Sequence, residues 1–288
     1  MRRLLLIGIG LILSGLMPLL AQDQQDRVEQ SIKDFKVSGY NENKQTSWML
    51  RGEKARLKGE MLEVDGVKIN GQSKDRHVTV VSEKGYYNKD KGIVLLSHDV
   101  KATSSTGAVL TTEQAVWDAK KNVLQTDRPL TIVQKNKSAK LEGIGGRVEI
   151  DKDTAVIHRD IRGEMERGPL TKEEKNKRHR TIIRCKGPLI VKYKDKIAVF
   201  NNNVVVEDES ATIYADKLTV YFNSPDNRIR KIVGEGHVKI VKGDNVTESE
   251  KAVYDVESDS LTMIGQPKVL FYTGEEIGKA SFGDKRFD

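Results

Sequence analysis

The side chains that could carry out chemistry here are five histidines, one cysteine and many carboxylates. His77, His98, His158, His179 and His237 are scattered, without the short ligand intervals that a zinc site needs. They read as surface or loop imidazoles. His98 and His237 stand at equivalent places just before Val100 and Val238, which points to a structural origin. The run Gly143–Gly146, GIGG, lacks the following helix and lysine of a phosphate loop, so it reads as a bulge or tight bend in a strand. Cys185 has no second cysteine to pair with and reads as a small, partly buried hydrophobe. Carboxylate pairs such as Glu142/Glu149 or Asp255/Glu257 could serve acid–base hydrolysis, but acids are too frequent here for a pair to carry weight. Asn245 opens a glycosylation sequon, NVT, by pattern alone. No catalytic residue, metal site or cofactor is expected, and the chain does not read as an enzyme.

What recurs instead is a heptapeptide. SEKAVYD at Ser249 echoes GEKARLK at Gly52, SEKGYYN at Ser82, TEQAVWD at Thr112, ADKLTVY at Ala215 and, more faintly, GIGGRVE at Gly143. The first four starts along the chain are 30, 30 and 31 residues apart, and the last two 34. A fixed period of this size marks a repeat architecture. A weakened copy, RCKGPLI from Arg184, sits within the 72-residue gap between Gly143 and Ala215.

Inside each copy, small or apolar residues alternate with polar ones. Gly85/Tyr87, Ala115/Trp117, Leu218/Val220 and Ala252/Tyr254 are two apart, so on a strand each pair shares a face, while Lys84, Gln114, Lys217 and Lys251 point the other way. A turn signal follows (NKDKG from Asn88, DAKKN from Asp118, SPDN from Ser224, VESDS from Val256) and then a second apolar run. These second runs often reach a valine with Gly, Asn, Asp or Pro just before it, as in SHDVKA, NNNVVVED, GEGHVKIV and GQPKVLF. Each unit is strand, turn, strand, and the chain is all-β. With no helix to cover them, the strand pairs must fold face to face as a sandwich, jelly roll or open solenoid. The inward-facing set is Tyr87, Trp117, Leu218, Val220, Phe222, Val238, Ile240, Ala252 and Tyr254. A one-residue slip in register would invert it.

Hydrophobic residues make up 37 % of the 288, charged residues 32 % and aromatics 6 %, which suits elements that bury one face each. The net charge of +7 is a mild bias with both signs interspersed, useful toward phosphorylated or carboxylated partners. The N-terminus is more decisive. MRR precedes a stretch without charge from Leu4 to Ala21 and then polar QDQQDR, which addresses the chain to the inner membrane. As a helix those residues would span ~27 Å at ~1.5 Å each, close to the ~30 Å hydrocarbon core. Arg2 and Arg3 stay cytoplasmic, which places the remainder outside that membrane and argues against nucleic acid as a partner. A retained anchor is favoured over a signal cleaved after Ala21, because Leu19 at the −3 position is not small. The expected organisation is an anchor or signal at 1–21, a polar connector at 22–40, β-domains at 41–165 and 182–288, and a charged linker or loop at 166–181. Lys175, Lys177, Arg178 and Arg180 in that last segment read as solvated charge, or more sharply as a basic patch.

The recurring A-x-x-A-x-Y-D … L-x-x-x-G-x-V pattern, clearest at Ser249–Val269 and Ala215–Ile240, resembles the OstA-like repeat of lipopolysaccharide transport proteins. Residues 182–288 resemble the periplasmic bridge protein LptA. Residues 1–165, with the apolar N-terminal segment, Thr112–Ile132 and Leu141–Gly163, resemble the membrane-anchored LptC. LptC and LptA are ordinarily separate chains of one such domain each, so this sequence departs from the pattern by holding both. The resemblance implies two twisted, V-shaped antiparallel β-jellyroll domains, open along one side and preceded by an N-terminal helix. It implies a periplasmic component that holds lipid A acyl chains in an apolar groove and passes lipopolysaccharide from an inner-membrane ABC transporter toward the outer membrane. Other OstA-like domains would join by edge-strand pairing. The competing reading is a structural or adhesive envelope β-solenoid with packed inward faces and no lipid cargo.

Overall fold

The computed structural model describes residues 31–40, 44–73, 76–134, 139–167, 179–224 and 228–270. The expected membrane segment, 4–21, lies outside the described residues, and among those described no helix is long and apolar enough to cross a membrane. The first strands are β1 (Ser31–Tyr40), β2 (Thr46–Lys58), β3 (Met61–Ser73), β4 (Arg76–Asn88) and β5 (Ile93–Ser104). Next come β6 (Ala108–Asp118), β7 (Val123–Gln134), β8 (Ala139–Glu149) and β9 (Thr154–Arg167). The remainder are β10 (His179–Cys185), β11 (Leu189–Lys192), β12 (Ile197–Glu207), β13 (Thr212–Phe222), β14 (Ile229–Lys242), β15 (Asn245–Asp255), β16 (Ser260–Ile264) and β17 (Lys268–Leu270).

All seventeen strands belong to one antiparallel sheet, in which chain neighbours are sheet neighbours from β1 to β9 and from β12 to β15. β10 and β11 share one place between β9 and β12. β16 and β17 likewise share the place beside β15. The heptapeptides fall on β2, β4, β6, β8, β13 and β15, and the weakened copy bridges the break between β10 and β11.

Each heptapeptide carries a corner as well as a strand. Pairing lapses between Val81 and Lys84 on β4, Thr112 and Val116 on β6, and Tyr214 and Lys217 on β13. On the strands that follow, a left-handed dipeptide bends the chain at the same level. His98–Asp99 (φ 64° and 51°), Asn202–Asn203 (65° and 56°), Gly236–His237 (75° and 43°) and Gly265–Gln266 (84° and 46°) are the four cases. Gly, Asn and Asp tolerate this region best, which explains why the sequence places them just before the valines. Gly236 has a second constraint, because a Cβ there would strike the Asp216 carboxylate at the second heptapeptide position. The GIGG bend also lies on this line, with a register shift between Glu142 and Ile144 and Gly145 at φ 69°.

The line of corners divides the sheet into two halves that face each other. Trp117, in the half beyond the corner of β6, lies against Gly71 in the other half of β3, three strands away. At one rim the hairpin turns stack. Ala119 N–H donates to Gly92 O (2.8 Å), Tyr193 N–H to Asp153 O (2.9 Å), Phe222 N–H to Lys196 O (2.9 Å) and Val256 N–H to Arg230 O (2.9 Å). Backbone groups that hairpins leave over are thus satisfied by the next turn along.

Strand extends into two segments read as irregular from sequence. Ser31–Tyr40, at the end of the expected connector, forms β1 and pairs with β2, because Phe35 and Val37 alternate and Phe35 is buried. The expected linker at 166–181 is entered from both sides by strand. β9 and β10 pair from Arg167↔His179 to Ile161↔Cys185, so 168–178 connects two sheet neighbours.

Candidate functional site

The inward face of the folded sheet carries three apolar clusters. Tyr87 and Trp117 belong to the first, with Leu50, Ile69, Val80, Val94, Leu96 and Val100 among its members. Trp117 is fully buried, and Trp48 meets Tyr87 edge-on with ring centroids 6.4 Å apart. Burial, with the Asp90 carboxylate adding to it, pushes the Tyr87 hydroxyl above the ordinary tyrosine range, so the phenol stays neutral.

Leu218 and Val220 are buried in the second cluster, with Phe222 half-buried against it. Val238 and Ala252 form the third with Ala215, and Ile240 packs on its side. Strand alternation therefore placed eight of the nine expected residues in apolar clusters. Tyr254 differs. It is half-buried, pairs with Ile232 and Leu261 on the flanking strands, and its hydroxyl donates to Asp259 Oδ1 (2.6 Å) in the adjacent turn.

The second cluster also contains Leu130, Ile157, Ile161, Leu189, Phe200 and Val204, none of which was in the expected set. Val204 and Val100 could have been found from their equivalence to Val238, each standing right after a left-handed dipeptide. Ile157 and Leu189 could not, because the repeat is faintest there. Cys185 is buried in the same cluster, and burial pushes its thiol above the ordinary range.

The interior becomes less covered toward the last strands. Leu261 is opposite Tyr254, and Val269 is opposite Thr247, which is itself opposite Ile240, so both share the inward face. Leu261 is nonetheless 51 % exposed and Val269 48 %. On the outward face charged residues pair across neighbouring strands. Glu235 on β14 accepts from Lys217 on β13 (3.0 Å) and from Lys251 on β15 (3.1 Å). The Lys217 hydrogen bond, then that of Lys251, hold the Glu235 carboxyl below the ordinary carboxylate range. At the corner, the Asp216 carboxylate 2.7 Å from His237 Nδ1 raises that imidazole above its ordinary value. Among the described residues no group of three or more His, Cys, Asp or Glu is placed to hold a metal ion.

A family model described as lipopolysaccharide-assembly, LptC-related, matches residues 4–166. The chain belongs to this LptC-related family. A second family model, LptA/(LptD N-terminal domain) LPS transport protein, matches residues 189–282. Among curated proteins, nothing matches the chain. The LptC-related part ends at the close of β9 and the LptA-related part opens on β11, so the two meet where β9 pairs with β10 and β11. Tyr87 and Trp117 lie in the LptC-related part, and the other seven expected residues in the LptA-related part. Both matches are to families of lipopolysaccharide-transport components of the periplasm.

Proposed function

We propose that the folded sheet is two V-shaped, open jellyrolls joined edge to edge, and that its apolar interior carries the acyl chains of lipid A. The LptC-related half receives lipopolysaccharide from an inner-membrane ABC transporter, near which residues 4–21 anchor the chain. The LptA-related half passes it outward, and further OstA-like domains add at the C-terminal edge. Tyr87, Trp117, Leu218, Val220, Phe222, Val238, Ile240, Ala252 and Tyr254 line the path, while sugars and phosphates stay in water.

The observation that carries this reading is the change of the inward face along the chain. Apolar residues face inward in every cluster, and at β16 and β17 the same face is uncovered at Leu261 and Val269. A packed structural solenoid would cap that end with polar side chains. Each buried methylene gains ~0.8 kcal/mol, so a lipid with several acyl chains is held firmly without any covalent step.

Site-specific photo-crosslinking in cells that make lipopolysaccharide tests this. A photoreactive residue replaces Tyr87, Val220 or Tyr254, with Lys84 and Lys251 as outward controls. Lipid adducts at the first three and not at the lysines are expected. No adduct at any position would leave the adhesive or structural solenoid as the better account.

A further inference from the structure

The two halves of the sheet are tied at their rims by polar contacts that the apolar interior does not require. Arg76 opens β4 at the rim opposite the stacked turns. Its Nε lies 2.6 Å from Asp153 Oδ1 in the β8–β9 turn, and its guanidinium carbon lies 4.9 Å from the centre of the Tyr193 ring in the β11–β12 turn. The two turns are themselves joined by the hydrogen bond from Tyr193 N–H to Asp153 O. Close by, Asn122 Nδ2 reaches Gln72 O (3.3 Å) at the end of β3 and Asp151 Oδ1 (3.0 Å). The start of β4 and end of β3 therefore meet three successive turns of the facing half.

Arg76 and Asp153 lie in the LptC-related part and Tyr193 in the LptA-related part. The guanidinium thus spans the place where the two parts meet, with a carboxylate on one side and an aromatic face on the other. The tie is reversible in character. The Arg76 and Asp153 side chains are 34 % and 29 % exposed, and a partly solvated ion pair is a weak constraint. A cleft of about 50 Å³ lies beside it, between His77, Ser104, Ile150 and Tyr193.

We propose that Arg76, Asp153 and Tyr193 form a clasp that holds the mouth of the interior shut at the junction of the two parts, and that acyl chains cross the junction when it opens. This rests on the lipid-carrying reading above. Released, the rims can part by bending at the corner line. Engaged, the clasp closes the side of the path where the interior would otherwise meet water.

The test uses the full-length chain with Cys185→Ala and nitroxide labels at exposed Thr106 and Lys152, one on each rim, read by pulsed electron-spin distance measurement. Arg76→Gln and Asp153→Arg should each lengthen and broaden the distance, and the swapped pair Arg76→Asp with Asp153→Arg should restore it. In cells, a photoreactive residue at Val220 should give lipid adducts whose yield changes at least twofold in the single variants and returns in the swap. The swap keeps the test readable if a single variant fails to fold. An unchanged distance in every variant overturns the clasp. A longer distance with unchanged adduct yield overturns its gating role. No adduct in any chain, the unaltered one included, overturns the lipid reading and the gate with it, while a responsive distance would still identify the tie.

Discussion

The hydroxyl of Ser82 donates to the carbonyl oxygen of Lys84 at 3.0 Å, two residues ahead in its own chain. Ser249 does the same to Lys251 at 3.0 Å, and Thr112 reaches Gln114 O at 3.5 Å. These are the first and third positions of the heptapeptide, and the hydroxyl compensates a carbonyl where ladder pairing lapses. Ser82→Ala and Ser249→Ala should each cost about 1 kcal/mol in urea unfolding, with Ser82→Thr close to neutral. The two losses should add, since the sites share no partner.

A side chain at position 71 would collide with the far ring of Trp117. Gly71→Ala should therefore destabilise the protein by about 1–3 kcal/mol. Trp117→Phe removes the atoms in collision and opens space. In that background Gly71→Ala should cost much less, giving a favourable coupling in a double-mutant cycle. Independent costs would mean that the two halves do not meet at this point.

Glu235 supplies a pH dependence with a defined sign. Its carboxyl is held below the ordinary range in the folded chain, so its contribution is present above the unfolded value and lost as pH falls through the lowered folded value. Urea midpoints measured from neutral pH downward should fall less steeply for Glu235→Gln than for the unaltered chain. The difference should be modest, because Glu235 is 37 % exposed and solvent screens both lysines.

Equivalent valines should respond unequally. Val238→Ala removes a buried side chain and should cost about 1–3 kcal/mol. Val269→Ala, on the uncovered end of the same face, should change stability by less than about 0.5 kcal/mol. Equal costs would mean that the interior near β17 is as closed as the rest.

The spacing of the heptapeptides is enough to read the strands and their alternation, because side-chain direction alternates along a strand between one corner and the next. Leu218, Val220 and Val238 are buried for that reason. The corners were half legible. The small and polar residues before the valines stand out in the sequence, but their role as consecutive left-handed residues has no periodic signature. β1 reads as connector in the sequence, since SIKDFKVSGY offers only Phe35 and Val37 as an apolar alternation. The meeting of Arg76, Asp153 and Tyr193 was not legible at all. They are far apart in the chain, and only the folding of one half of the sheet over the other brings them together.

Because nearly every strand lies beside its predecessor, the length of the described sheet is counted out in strands. At ~4.8 Å per strand, seventeen strands with two shared places amount to roughly 65–70 Å along the sheet. Adding or removing one heptapeptide unit, two strands, would change that reach by about 10 Å without altering any face. The repeat number thus acts as a ruler, and the length of the sheet is written in the sequence as a count.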